Sequence, residues 1–168
     1  MPNDGKTLIK GTAAEHLVCA DLLLLGYNTF IAPQICKYDV VSEIDGNLIR
    51  FQVKSVYGLR PNTGRRQRTQ VYQFSIRKRN RAVYQLGDFD IVALVALDTK
   101  RIAYIRPDGN LNGISIRVND DKKSGKGVYF RGGGQNGRVF AEYTLNLALA
   151  NLSTMSIRRN IGGQNLIY

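Results

Sequence analysis

Hydrophobic and polar positions change rhythm along this chain. Residues 11-GTAAEHLVCADLLLLGY-27 are rich in Ala and Leu and close on Gly26, the composition and stop signal of a helix. A short β-like run follows, 28-NTFIAPQICK-37, broken by Pro33. Two strand-like runs come next, 38-YDVVSEI-44 and 48-LIRFQVKS-55, joined by Asp45-Gly46, a strong hairpin signal. The second alternates strictly, with Ile49, Phe51 and Val53 pointing one way and Arg50, Gln52 and Lys54 the other. A basic, turn-rich loop covers 56–69, and 70-QVYQFSIRK-78 reads as a further strand. The run 89-FDIVALVAL-97 is apolar enough to be a buried strand, and 98-DTK-100 turns it into 101-RIAYIRP-107. Residues 108–138 are polar and Gly-rich and read as a loop region, with Gly132, Gly133 and Gly134 followed by no phosphate-loop lysine. The segment 139-VFAEYTLNLALANLSTMSI-157 predicts a helix, and 158–168 a tail.

Composition narrows the class. A chain of 168 residues, 43% hydrophobic, suits a single domain with a sizeable core. Its net charge of +11 points to a polyanionic partner; nucleic acid leads, and an anionic membrane surface is weaker because no basic amphipathic helix stands out. With no apolar run near the roughly 18 residues of a membrane span and no apolar leader segment, an intracellular protein with no membrane partner is expected. Cys19 and Cys36 fit neither a disulfide framework nor a zinc site and read as reduced thiols.

The charge is unevenly placed. No acidic residue lies between Asp45 and Asp88, whereas Arg50, Lys54, Arg60, Arg65, Arg66, Arg68, Arg77, Lys78, Arg79 and Arg81 all do. Tyr57, Tyr72, Phe74 and Tyr84 are interleaved, which suits phosphate contact combined with packing or base contact. Apart from Lys54, these basic residues are the candidate nucleic-acid-binding set; the plainer alternative is a solvated basic face.

The hairpin also carries a register, which a bulge or a longer loop would shift. With Asp45 and Gly46 as the loop, Glu43 faces Leu48, Val41 faces Arg50, and Asp39 faces Gln52, with Lys54 two residues on along the same face. The oxygens of Asp39 and Gln52, with the backbone carbonyl of Val53, are hard ligands suited to Mg²⁺. Lys54 beside them can orient an attacking water or stabilise charge building on phosphorus. The spacing therefore points to metal-assisted phosphodiester hydrolysis.

Asp39 followed by Gln52-Val53-Lys54, with a glutamate in a preceding helix, resembles the PD-(D/E)XK nuclease superfamily. The run 88-DFDIVALVALDTKRIAYIRP-107 is similar to the fourth and fifth strands of the group I intron homing endonucleases of that superfamily, where Gln also stands at the (D/E) position. The resemblance covers roughly residues 11–107. It implies an α/β fold, a restriction-endonuclease-like αβββαβ core with a mixed central sheet flanked by helices. It also implies a catalytic set of Glu15, Asp39, Gln52 and Lys54, with Glu15 reaching the metal through water. Tyr38 replaces the usual proline before Asp39, and Gln52 carries one negative charge fewer than the acidic residue common at its position.

Glu15 has a competing role, because Thr12-x-x-Glu15 is a capping-box pattern; against it, Glu15 shares a helix side with Val18, Cys19 and Leu22. His16 reads as a surface or satisfied residue, and Asp88 and Asp90 as polar residues at a strand entry or further carboxylates near the site. The expected activity is a Mg²⁺-dependent, site-specific double-stranded DNA endonuclease. A Holliday-junction resolvase, an RNA-directed nuclease and a non-catalytic DNA-binding module with a decayed site are the alternatives. So small a chain cannot span a long target alone, so a homo-oligomer, dimer or tetramer, is expected, with the apolar stretch 139–157 as its candidate interface.

Overall fold

The computed structural model describes residues 4–60, 71–77, 84–85, 87–107, 113–118 and 139–152. Helix α1 runs Asp4–Leu24, starting a full turn and more before the Ala/Leu-rich stretch, because Lys6 to Lys10 contain no helix breaker and Gly11 is tolerated inside. Thr12 consequently sits mid-helix and the capping box does not form. The C-terminus behaves as the sequence predicts. Gly26 takes φ 89°, its N–H donates to Leu23 O (2.9 Å) and that of Tyr27 to Leu22 O (3.1 Å), a Schellman closure.

Strands β1 (Asn28–Ile31), β2 (Val40–Ile44), β3 (Asn47–Val56), β5 (Ile91–Ala96) and β6 (Arg101–Ile105) form a mixed five-stranded sheet in the order β1-β2-β3-β5-β6. The β2–β3 turn places both Asp45 (φ 50°) and Gly46 (φ 74°) at positive φ, as a tight type I′ hairpin requires. Its register is the expected one, Val41 opposite Arg50 and Glu43 opposite Leu48. On its other side β3 runs parallel to β5, with Gln52 beside Val92 and Lys54 beside Leu94.

Burial on both faces explains the unbroken apolar sequence of β5. Ile91, Ala93 and Val95 join Phe51, Val53 and the α1 stripe Ala14, Val18 and Leu22 in one core. Val92, Leu94 and Ala96 face a second core built on Tyr72, Phe74, Ile114 and Ile116. That layer is an antiparallel pair, β4 (Val71–Ser75) with β7 (Gly113–Arg117). Part of the expected 108–138 loop is thus a strand: Ile114 and Ile116 alternate inward, and Gly113 lies where a Cβ would come within 3.1 Å of Phe74 O. The low-complexity piece 131–137 lies outside the described residues.

The expected helix over 139–157 begins later. Val139 bridges Arg117, Phe140–Glu142 form a 3₁₀ turn, and helix α2 spans 145–152. Val139, Phe140, Leu145 and Ala148 are all buried within the chain, so the apolar character of this stretch serves its own cores; Leu147 remains the exposed large apolar side chain there, and 153–168 lie outside the described residues. No helix among the described residues is long and apolar enough to cross a membrane.

Candidate active site

The site forms where β2 stops short of β3. The last β2–β3 pair is Val40 with Phe51, while β3 continues to Val56. Asp39, one residue before β2, still donates its backbone N–H to Phe51 O (2.9 Å), which keeps it opposite Gln52. Its carboxylate then takes the place of the missing strand: Oδ2 accepts the Val53 backbone N–H at 2.7 Å and a hydrogen bond from Gln52 Nε2. The facing read from the sequence is therefore present in the fold.

Gln52 is only 5% exposed, so its amide must be satisfied from within. Nε2 serves Asp39 and also points towards Val53 O (3.4 Å). Lys54, half-buried, donates from Nζ to the Tyr84 hydroxyl at 2.8 Å. Burial pushes the Lys54 ammonium pKa down, opposed by the charge of Asp39. Burial also raises Asp39 above the ordinary carboxylate value, while the Val53 N–H, Lys54 and Gln52 pull it back. Glu15, on α1, is raised first by burial and then by the charge of Asp39, with His16 acting in the opposite sense. Glu15 and Asp39 line one cleft of about 280 Å³ with Thr12, Pro33, Cys36 and Tyr38.

These groups suit a hard divalent cation. Burial raises both carboxyls, and the charge of Asp39 raises Glu15 further, so a cation in the cleft would favour their ionised forms. Rotating the Gln52 amide would bring Oε1 to the point Nε2 now holds, giving oxygens from Asp39, Gln52 and Val53. Among the described residues no three His, Cys, Asp or Glu side chains cluster, so such a site must draw on the amide and backbone carbonyl. A larger groove of about 510 Å³, lined by Ile9, Ala13, Leu17, Tyr57 and Leu97, carries no carboxylate and lies away from this chemistry.

Arg50 does something other than its place in the acid-free stretch suggests. Its guanidinium donates to both oxygens of Asp90 (2.9 Å each) and to Gly87 O (2.9 Å), and its backbone N–H donates to Asp90 Oδ2 (2.9 Å). With Asp90 N donating to Arg50 O (2.9 Å), the clamp fixes the entry of β5 against β3. Asp88 pairs with Lys37 at 3.1 Å and accepts the Gln85 N–H. Both aspartates are thus strand-entry residues. Arg60 and Arg77 are exposed, whereas Arg65, Arg66, Arg68, Lys78, Arg79 and Arg81 lie outside the described residues. His16 is exposed on α1.

Tyr84 escaped the sequence-based set of site residues. In the sequence it is an aromatic among arginines, and its partner Lys54 is 30 positions away. Its ring packs edge-on against Phe89 (4.9 Å between centroids, 78°), and burial, then the charges of Asp39 and Asp88, push its hydroxyl up to about 12.

A mixed sheet whose central hairpin presents a carboxylate, an amide and a lysine at an open strand edge, with a helix carboxylate alongside, has the organisation of a nuclease. The PD-(D/E)XK endonuclease family model matches residues 6–129, and the chain belongs to that family. Membership makes it a nuclease acting on DNA, in a family that generally uses divalent metal ions. Among solved structures, the bacterial homing endonuclease I-Ssp6803I is similar at 18% identity with a TM-score of 0.60, over 95% of this chain and 99% of that one, a likeness of fold. No curated protein matches the chain.

Proposed function

We propose that this chain is a Mg²⁺-dependent, site-specific double-stranded DNA endonuclease of the homing type. The observation that carries the reading is the convergence of Asp39, Gln52, Val53 O and Lys54 at one open strand edge, with Glu15 across the cleft. Asp39, the amide oxygen of a rotated Gln52 and the Val53 carbonyl would hold the cation, with Glu15 reaching it through water. When bound, Mg²⁺ supplies positive charge at the scissile phosphate and makes water a better nucleophile.

The remaining work falls to the chain itself. Lys54 holds a positive charge, half-removed from water, where the phosphate would arrive, and charge in such a site acts strongly without reorganisation. Asp39 opposes the loss of that charge. The exposed Arg60 and Arg77, with the basic residues between and just beyond them, would contact the DNA backbone. Cutting both strands of a duplex calls for at least two copies of the site, hence a dimer or tetramer.

Incubating the protein with a random duplex library and Mg²⁺, then sequencing the cleaved ends, tests the reading. A long specific target is expected. Preference for branched junctions would replace homing by junction resolution, and binding without cleavage would leave a non-catalytic module.

A further inference from the structure

We infer that Tyr84 is a positioning residue for Lys54, its hydroxyl fixing the direction in which the ammonium faces the reacting phosphate. The inference rests on the nuclease reading of the Lys54 site and adds to it a residue from the crossover between β4 and β5. Lys54 Nζ lies 2.8 Å from the Tyr84 hydroxyl but 5.0 Å from the ring centroid, so the ammonium meets the oxygen rather than the ring face. The contact is a directional hydrogen bond, with the phenol as acceptor.

Each partner is held from behind. Lys54 leaves β3 at a position paired with Leu94 of the buried β5, which fixes its Cα. Tyr84 stacks edge-on against Phe89, itself buried just ahead of β5. A lysine carries a flexible four-carbon stem, so a fixed backbone alone does not fix its ammonium. The Tyr84 hydroxyl supplies the missing constraint, and Phe89 keeps the hydroxyl in place. At neutral pH the phenol is uncharged, so it orients Lys54 without neutralising it.

Tyr84→Phe removes the acceptor and keeps the ring against Phe89. The expected result is a fall in kcat of roughly 10- to 100-fold, the scale of a displaced catalytic group, with KM for the duplex unchanged. In a Lys54→Ala background the same substitution should have no further effect. Equal losses in both backgrounds, or a loss in KM alone, would overturn the inference.

A second readout needs no activity. In ¹⁵N-lysine-labelled protein the Lys54 ammonium signal, assigned by its absence in Lys54→Ala, should exchange slowly in the wild type and rapidly in Tyr84→Phe. An unchanged exchange rate refutes the positioning role whether or not the protein cleaves DNA. Absent cleavage with altered exchange would instead refute the nuclease reading and leave the contact standing. The reciprocal variant Lys54→Met, which leaves the phenol in place, must move the Tyr84 Cζ resonance; an unmoved resonance overturns the contact.

Discussion

Replacing Gln52 by Glu should destabilise the metal-free protein and tighten its grip on a divalent cation. The amide now donates to the Asp39 carboxylate and points towards Val53 O. Gln52→Glu removes that donor and sets a second carboxylate against the first. Two like charges about 4 Å apart at an effective dielectric constant near 20 repel by about 4 kcal/mol. The lost charge-assisted hydrogen bond adds about 1.5–3 kcal/mol. A small side-chain movement relieves part of this, so a net loss of about 2–5 kcal/mol is expected at pH 8, a drop in Tm of about 5–20 °C for a chain of this size. A proton shared between the carboxyls removes the repulsion, so the penalty shrinks at pH 5. Mg²⁺ does the same, and calorimetry should show at least a tenfold gain in affinity, about 1.4 kcal/mol. Thermal melts in EDTA at both pH values provide the check. Equal Tm values for the two proteins at pH 8 would mean that Gln52 does not face Asp39, and the proposed donor set would fall with it.

The site was legible in the sequence where it depends on local rules. The Asp45-Gly46 turn and the period-two alternation of β3 set the register that puts Asp39 opposite Gln52, and the apolar run of β5 shows a buried strand. What escaped depends on partners distant in sequence. Arg50 looks like one more cation of the acid-free stretch because its partner Asp90 lies 40 positions on. Strand β7 is five residues inside a polar, Gly-rich stretch, and only its pairing with β4 makes Ile114 and Ile116 an inward face. The start of α1 was hidden because Thr12 and Glu15 mimic a helix cap inside a helix already under way.

Other outcomes follow from the same contacts. Asp90→Ala takes the acceptor from the Arg50 guanidinium and backbone N–H, and should cost about 2–4 kcal/mol by urea unfolding; it should leave the salt dependence of DNA binding unchanged, whereas Arg60→Ala or Arg77→Ala should each reduce that slope by about one. Glu15 and Asp39 have raised carboxyl pKa values, so their contribution to stability is complete below the ordinary carboxylate range and is lost as pH rises through the raised values. A cation that binds the ionised pair should therefore raise Tm more at pH 8 than at pH 5, and an equal rise at both would contradict their role as ligands.

The most direct test is supercoiled plasmid carrying a selected target, incubated with Mg²⁺ and the wild type, Asp39→Ala or Lys54→Ala. Nicking and linearisation by the wild type alone, lost in EDTA and reduced by at least about 10³-fold in both variants, is the expected result. Undiminished cleavage by either variant would place the nuclease centre somewhere other than the open edge of β3.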